Sequence, residues 1–345
     1  MTMTAPLPDD LMTSPALYPF QVDWKAEKAW MLMAPDGWYD AAAFLDQRAL
    51  TKDAKGDWVP LDALEVAAAD APARPLGLIF HVGHCGSTLI SRALGLVPGF
   101  FSLREPLPFR DLAALQAETG DMPTDKTDLM RAFWARPPDK DALATVKATS
   151  FCSLMAKDWL TRYTGDRAVM LAMAPEIYIA TVLGADAYVA DLKGGAAIRT
   201  KALTRATGAA APAPDSLTAG ELAAMTYMAE LINLHLGVEA ADARALRLDF
   251  DGYLKDPAAT LATLAQHFGR DISTEDAARL LSHPILGRYS KATDYRFTAG
   301  DRKARLTESR AKNGAEITRG IDWIRALARA HPVAREALIA YGYAR

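Results

Sequence analysis

The chain has little cysteine: Cys85 and Cys152 are the only two in 345 residues. That is too few for a disulfide framework and suits a reducing compartment. Long apolar runs are missing as well. No stretch approaches the roughly 20 residues that cross a bilayer, so no membrane span is expected. The start, MTMTAPLPDDLMTSP, lacks the basic residues and apolar run of a secretory leader, which leaves the cytoplasm as the expected address. No sign of charge dominates. A formal net charge of −3 gives no global pull toward nucleic acid, and no nucleic-acid partner is expected. No internal repeat is evident. What is there is ordinary for a globular chain: 50% hydrophobic and 23% charged residues, at a length that can bury a sizeable core.

Residues 1–70 hold four of the seven tryptophans (Trp24, Trp30, Trp38, Trp58) and the turn-like Pro35-Asp36-Gly37. They read as a small N-terminal α+β module with a short helix around Tyr39 to Leu50. Ala67 to Pro75, AAADAPARP, reads as a linker. From residue 76 to 345 short apolar runs alternate with helical sequence. LGLIFHV (76–82), LATVKAT (143–149), AVMLAM (168–173) and ALRLDF (245–250) are candidate buried strands. Their spacing argues βαβ units and a three-layer α/β/α domain with a mostly parallel sheet. Thr218 to Leu236 carries a capping-box start with Glu221. Asp256-Pro257 to Phe268, with Gly269 beyond, has a cap, a first-turn proline and a terminating glycine. Ala206 to Pro214, ATGAAAPAP, reads as a surface loop.

The informative spot is the end of the first strand, where Gly83-His84-Cys85-Gly86-Ser87-Thr88 leads into a helix starting near Ser87. Consecutive backbone N–H groups at such a turn make a concavity for a phosphate or sulfate group, and the helix N-terminus adds partial positive charge. A plain strand–helix turn with glycine for geometry is the alternative. No lysine precedes Ser87, so the Walker A pattern of ATP and GTP sites is not met; nor is G-x-G-x-x-G. His81, His84 and Cys85 lack a second ligand cluster, and no metal is expected. Cys85 sits where a helix start favours a thiolate, without a histidine–acid partner in reach of its spacing.

Three marks together resemble the P-loop sulfotransferases that use 3′-phosphoadenosine 5′-phosphosulfate. The first is the turn through Leu89. The second is Leu103-Arg104-Glu105-Pro106, similar to a Glu-Pro after the family's second strand. The third is Leu246 to Phe250 followed by Leu254, Asp256-Pro257 and Leu261 to Phe268-Gly269. The resemblance implies a P-loop fold and transfer of a sulfuryl group from that nucleotide cosubstrate to a hydroxyl or amine of a small-molecule acceptor. It assigns Gly83, His84, Cys85, Gly86, Ser87, Thr88 and Leu89 to the cosubstrate, with Thr181 and the late loop Tyr289-Ser290-Lys291. Glu105 becomes the general base. Lys147, a lysine inside an apolar strand, becomes a stabiliser of the sulfuryl or bridging oxygen. A helix-cap carboxylate and a lysine snorkelling from a strand end are the plainer readings of these two. Arg92 and Arg104 are weaker candidates for anion contact.

Two departures stand out. His84 occupies a position usually held by Arg or Lys. Met173-Ala174-Pro175 stands where the family has Arg-x-Pro gripping the nucleotide's 3′-phosphate, and a thioether cannot replace a guanidinium there. Tyr289 to Gly320 holds eight Lys/Arg against four acids, which could supply that charge or simply form a solvated basic face. Two other classes stay open: a P-loop small-molecule kinase, with LRLDFD as its one acidic strand end, and a catalytically degenerate binding protein on the same fold. The acceptor pocket is expected from Leu112 to Pro138, Tyr178 to Leu217 and the N-terminal module, with Phe109, Phe133, Trp134 and Tyr188 as candidate lining.

Overall fold

The computed structural model describes residues 7–289, 292–296 and 299–344. Three strands, β1 (Leu17–Asp23), β2 (Lys28–Met33) and β3 (Gly56–Pro60), form an antiparallel N-terminal sheet in the order β1-β2-β3. A helix, Leu61–Ala69, takes up the first part of the expected linker. Five further strands build the central sheet: β4 (Gly77–His81), β5 (Phe100–Arg104), β6 (Leu143–Lys147), β7 (Arg167–Ala172) and β8 (Ala245–Asp249). Their order is β5-β6-β4-β7-β8, and every pairing is parallel. Helices cover both faces, which is why β4 and β7 at the middle of the sheet read as short apolar runs rather than alternating ones. The helices Ser87–Gly95 and Pro257–His267 pack together, while Ala219–Ala241 packs on Ala156–Arg162 and Ala196–Thr207. The chain is a three-layer α/β/α fold with a small antiparallel sheet added at the N-terminal side.

The topology places the site. From β4 the chain crosses to β5 on one side, and from β6 it crosses back over β4 to β7. Crossovers of one hand running in opposite directions lie on opposite faces and leave a crevice at the carboxyl ends of the strands. His81, Arg104 and Lys147 are the last residues of β4, β5 and β6.

Several local expectations are met and several are refined. Thr218 and Glu221 form the capping box, and Asp256 caps the following helix through Ala259 N. The helix expected around Tyr39 to Leu50 is two short pieces, Trp38–Ala41 and a 3-10 turn at Gln47–Ala49. The helix Ala196–Thr207 runs into the alanine-rich stretch, so the loop begins only at Gly208, in the left-handed region that ends the helix. The N-terminal residues also pack on the central sheet. Arg104 Nε donates to Ala42 O at 2.8 Å, Leu45 N to Arg104 O at 2.6 Å, and Arg136 Nη2 to Leu17 O at 2.8 Å. Arg104 is thereby spent on the backbone of the N-terminal module, 3% exposed, and is no anion contact.

Candidate active site

The expected turn is built as an anion cradle. Glycine at 86 sits at φ +75°, and a Cβ there would lie 2.2 Å from the Phe250 ring, so both conformation and packing demand glycine. His84 adopts φ +58° without being glycine, a conformation held only where surroundings insist on it. The following helix, Ser87–Gly95, has Gly86 as its N-cap and no side-chain cap bond, so its first N–H groups carry no capping oxygen. Gly83, His84, Gly86, Ser87, Thr88 and Leu89 line one cavity of about 1430 Å³. Cys85 does not: it is fully buried, its Sγ is 3.9 Å from Leu171 O, and burial raises its thiol pKa well above the usual range. The thiolate-favouring reading of Cys85 fails because burial outweighs the backbone N–H of Ser87 at the helix start, which by itself would favour the charge. The His84 ring packs tilted against Tyr188, 4.3 Å between ring centroids, and its Nε2 approaches Asp191 Oδ2 at 3.7 Å.

Glu105 and Lys147 open on the same cavity. Neither plainer reading of them holds. The helix after Glu105 has Pro106 as its N-cap and no side-chain cap bond, and Lys147 is 1% exposed, with no path to snorkel out. Instead β5 and β6 end side by side, Arg104 opposite Lys147. Lys147 Nζ meets Glu105 Oε1 in a direct ion pair. Arg110 Nη2 donates to Glu105 Oε2 at 2.9 Å, and Arg48 Nη2 lies 3.9 Å from the same oxygen. Glu105 takes φ +52°, the second non-glycine of the site in the left-handed region. Burial works to raise its carboxyl pKa, but Lys147 and Arg110 outweigh burial and hold it at about 2. Burial draws Lys147 below the ordinary lysine range against the opposing pull of Glu105. The proton therefore resides on the amine and the carboxylate is the anion. His81 lies beside them, its ring nitrogens 2.8 Å from Val82 O and 2.9 Å from Ala148 O, and burial followed by Lys147 pushes it down to about 4.

Sequence reasoning missed much of this surround. Asp46 of the N-terminal module accepts from Arg48 Nε at 2.8 Å and Arg110 Nη2 at 3.2 Å, tying the module to Glu105. Thr149 receives Arg110 Nε at 2.9 Å. Arg199 and Glu230 form a buried pair at 2.8 Å behind the turn, and Gly83 N donates to Glu230 Oε2 at 2.8 Å. Glu230 had a readable signal, a carboxylate inside the apolar run MTYMAELINLHL, the same oddity that marks Lys147. Arg110 and Arg199 had none.

The basic segment is partly drawn in. Ser309 Oγ donates to Ala180 O at 2.6 Å and Asn313 Nδ2 to Leu183 O at 2.9 Å. These bonds dock the helix Ala299–Ala330 on Pro175–Leu183. Positions 302, 305 and 306 precede Ser309 by seven, four and three residues and so share its face. Arg302, Arg305 and Leu306 line the cavity together with Thr181. Arg302 pairs with Asp251 at 2.8 Å and lies 5.4 Å over the Phe250 ring. Thr181 Oγ1 donates to Ile177 O at 2.7 Å. Met173 is a core residue, 1% exposed. Tyr289 ends a short strand (Arg288–Tyr289), and Ser290 and Lys291 lie outside the described residues. Among the described residues seven Lys/Arg line the cavity against two carboxylates, Glu105 and Asp191. Asp249, the acidic end of LRLDF, is engaged as the cap of Gly252 N at 2.7 Å and by Tyr343 OH at 2.5 Å, which leaves little for a magnesium role. Among the described residues no three His, Cys, Asp or Glu gather as a metal-binding group.

Of the aromatic residues expected to line an acceptor pocket, Tyr188 lines the cavity, together with Trp38, Phe44 and Phe151. Phe109, Phe133 and Trp134 do not. They are at most 2% exposed; Phe109 and Trp134 pack with Trp159 in the core, and the Arg136 guanidinium lies 4.4 Å over the Phe133 ring. The helices Leu107–Thr119, which carries Phe109, and Thr124–Trp134, which carries Phe133 and Trp134, turn these rings inward, where their apolar faces are covered by protein.

No family profile matches the chain, and no curated protein matches it. Among solved structures it is similar to a sulfotransferase from Mycobacterium avium, with 12% identity over 72% of this chain and 79% of that one and a TM-score of 0.42. It is similar to a sulfotransferase from Alicyclobacillus acidocaldarius, with 13% identity over 71% and 95% and a TM-score of 0.37. A third is retinol dehydratase in complex with androsterone and the inactive cofactor PAP, with 12% identity over 79% and 88% and a TM-score of 0.36. The assignment of the site rests on the geometry above.

Proposed function

We propose that this chain transfers a sulfuryl group from 3′-phosphoadenosine 5′-phosphosulfate to a hydroxyl or amine of a small-molecule acceptor. The observation that carries the reading is that the phosphate turn, the Glu105–Lys147 pair and a ring of guanidinium groups open on a single cavity. The N–H groups from His84 to Thr88 hold the 5′-phosphate and sulfuryl oxygens. Arg302 and Arg305, beside Thr181, take the 3′-phosphate in place of a cation at position 173.

Transfer proceeds in line. The acceptor oxygen or nitrogen forms its bond to sulfur as the bond from sulfur to the bridging phosphate oxygen breaks. The electron pair leaves on that oxygen, releasing 3′,5′-adenosine bisphosphate, and the acceptor's proton passes to Glu105. Positioning and charge stabilisation supply the catalysis. Glu105 held at about 2 is a weak base. The arriving sulfuryl and phosphate oxygens compete for Lys147, and as its ammonium turns to them the carboxylate loses its main counter-charge and gains basicity. A second reading, nucleotide binding without transfer, is favoured by the same ion pair if it never opens.

Calorimetric titration with 3′,5′-adenosine bisphosphate, against 5′-AMP, tests the reading. Micromolar binding of the bisphosphate with much weaker binding of AMP is expected. Binding of neither sinks sulfuryl transfer as proposed. Binding without turnover across a panel of hydroxyl and amine acceptors turns the choice to the second reading.

A further inference from the structure

We infer that the buried pair Arg199–Glu230 sets how tightly the phosphate turn holds its anion, with Glu230 as an internal anion seated on the turn's first N–H and Arg199 as the cation that cancels it. The inference rests on the proposed function only in taking the turn as an anion site.

Glu230 lies in the middle of the helix Ala219–Ala241 and is 1% exposed. One oxygen accepts from Gly83 N at 2.8 Å, the other from Arg199 Nε at 2.8 Å. Arg199 Nη2 donates to Ser150 Oγ at 3.1 Å. The guanidinium is pressed on Gly195, where a Cβ would stand 2.1 Å from Nη1, so this position admits only glycine while Arg199 keeps its place. Gly83, Ser150, Gly195 and Arg199 all line the cavity. Beneath Gly83 the Tyr178 hydroxyl is fully buried without a hydrogen-bond partner. A Cβ on Gly83 would lie 3.4 Å from Ser150 Oγ, 3.7 Å from Tyr178 OH and 3.8 Å from Glu230 Oε2. The turn is thus backed by a polar layer that the transfer step does not use.

Two consequences follow from charge. The carboxylate occupies one donor of the nest, leaving the later N–H groups to the ligand. A full negative charge directly behind an anion site also repels the ligand unless a cation offsets it, and in a buried setting that repulsion is weakly screened. Arg199 is that cation. Arg199 lines the cavity itself, whereas Glu230 acts on the ligand only through the turn and is a positioning residue. Neutralising the two partners must then have opposite effects, which a purely structural strut would not show.

The test titrates wild type, Glu230→Gln, Arg199→Met and the double variant with inorganic pyrophosphate and with 3′,5′-adenosine bisphosphate. Thermal melts show which variants are folded. Amide exchange at Gly83 is followed in wild type, Glu230→Gln and Glu230→Ala. Glu230→Gln keeps the acceptor oxygen and leaves Arg199 uncancelled, so binding tightens by about tenfold. Arg199→Met leaves the carboxylate uncancelled, so binding weakens by at least about tenfold. The double variant returns close to wild type. Gly83 exchange stays slow in Glu230→Gln and quickens in Glu230→Ala. Weakening by both single substitutions alike, or unchanged exchange in Glu230→Ala, overturns the inference. If wild type binds neither anion the proposed function falls. Glu230→Gln gaining binding then still upholds the pair's role, and its failure to do so overturns it.

Discussion

Glu105 and Glu230 are both buried carboxylates matched to a cation, yet one lines the cavity and the other lies behind its wall. Glu105 follows directly on the end of a strand, takes a left-handed backbone and is touched by an ammonium and a guanidinium, with a second guanidinium 3.9 Å away. Glu230 sits in mid-helix with one guanidinium and one backbone N–H. The crowded carboxylate has partners that can be lent to an arriving anion. The other is fixed to the main chain and can only bias the turn. Burying a charge is costly in either place, and each is kept by a different compensation.

The largest break in this comparison comes from Lys147→Met, which leaves Glu105 to Arg110 and the more distant Arg48. Loss of about 3–5 kcal/mol is expected in denaturant unfolding at neutral pH. The double variant Lys147→Met/Glu105→Gln should regain much of it, and no recovery would mean that the pair is not the source.

Acid sharpens the contrast next. The Glu105 carboxyl lies at about 2 against an ordinary 4.5, so the folded chain binds fewer protons than the unfolded one between those values. Its contribution to stability is complete above about pH 4.5 and is lost as pH falls through about 2. The gap between wild type and Glu105→Gln should shrink by roughly 3 kcal/mol across that window. A constant gap would show that the cations do not hold the carboxyl down.

The smallest effects separate the two glycines of the turn. Gly86→Ala meets the Phe250 ring at 2.2 Å in a left-handed conformation and should cost about 1–3 kcal/mol. Gly83→Ala finds its nearest neighbour at 3.4 Å and should stay within about 1 kcal/mol. Thermal melts of both decide. Equal losses would mean that Phe250 yields.

Much of the fold was legible in the chain. Four of the five central strands were apparent as short apolar runs, because a strand covered on both faces leaves no alternation to decode. Phe100–Arg104 did not stand out by apolarity, since FFSLR carries a serine and an arginine; it entered through the Glu-Pro that follows it. The turn could be read because glycine, serine and threonine between strand and helix have few other reasons to occur together. Lys147 was legible as a charge in an apolar strand. The aromatic acceptor lining misled. Phe109, Phe133 and Trp134 cannot be told from core rings by type, and only the direction of their helices sends them inward.

By itself the sequence determined the layered α/β plan, the glycine turn between strand and helix and one charge that had to be paired, because periodicity, backbone conformation and burial cost are local properties written residue by residue. Only the tertiary structure decided the partners. Arg110 reaches Glu105 from the next helix, Asp46 reaches Arg110 across 64 residues, and Glu230 reaches Gly83 across 147. Such meetings depend on strand order and helix docking, so the charge balance of the cavity is a property of the assembled fold.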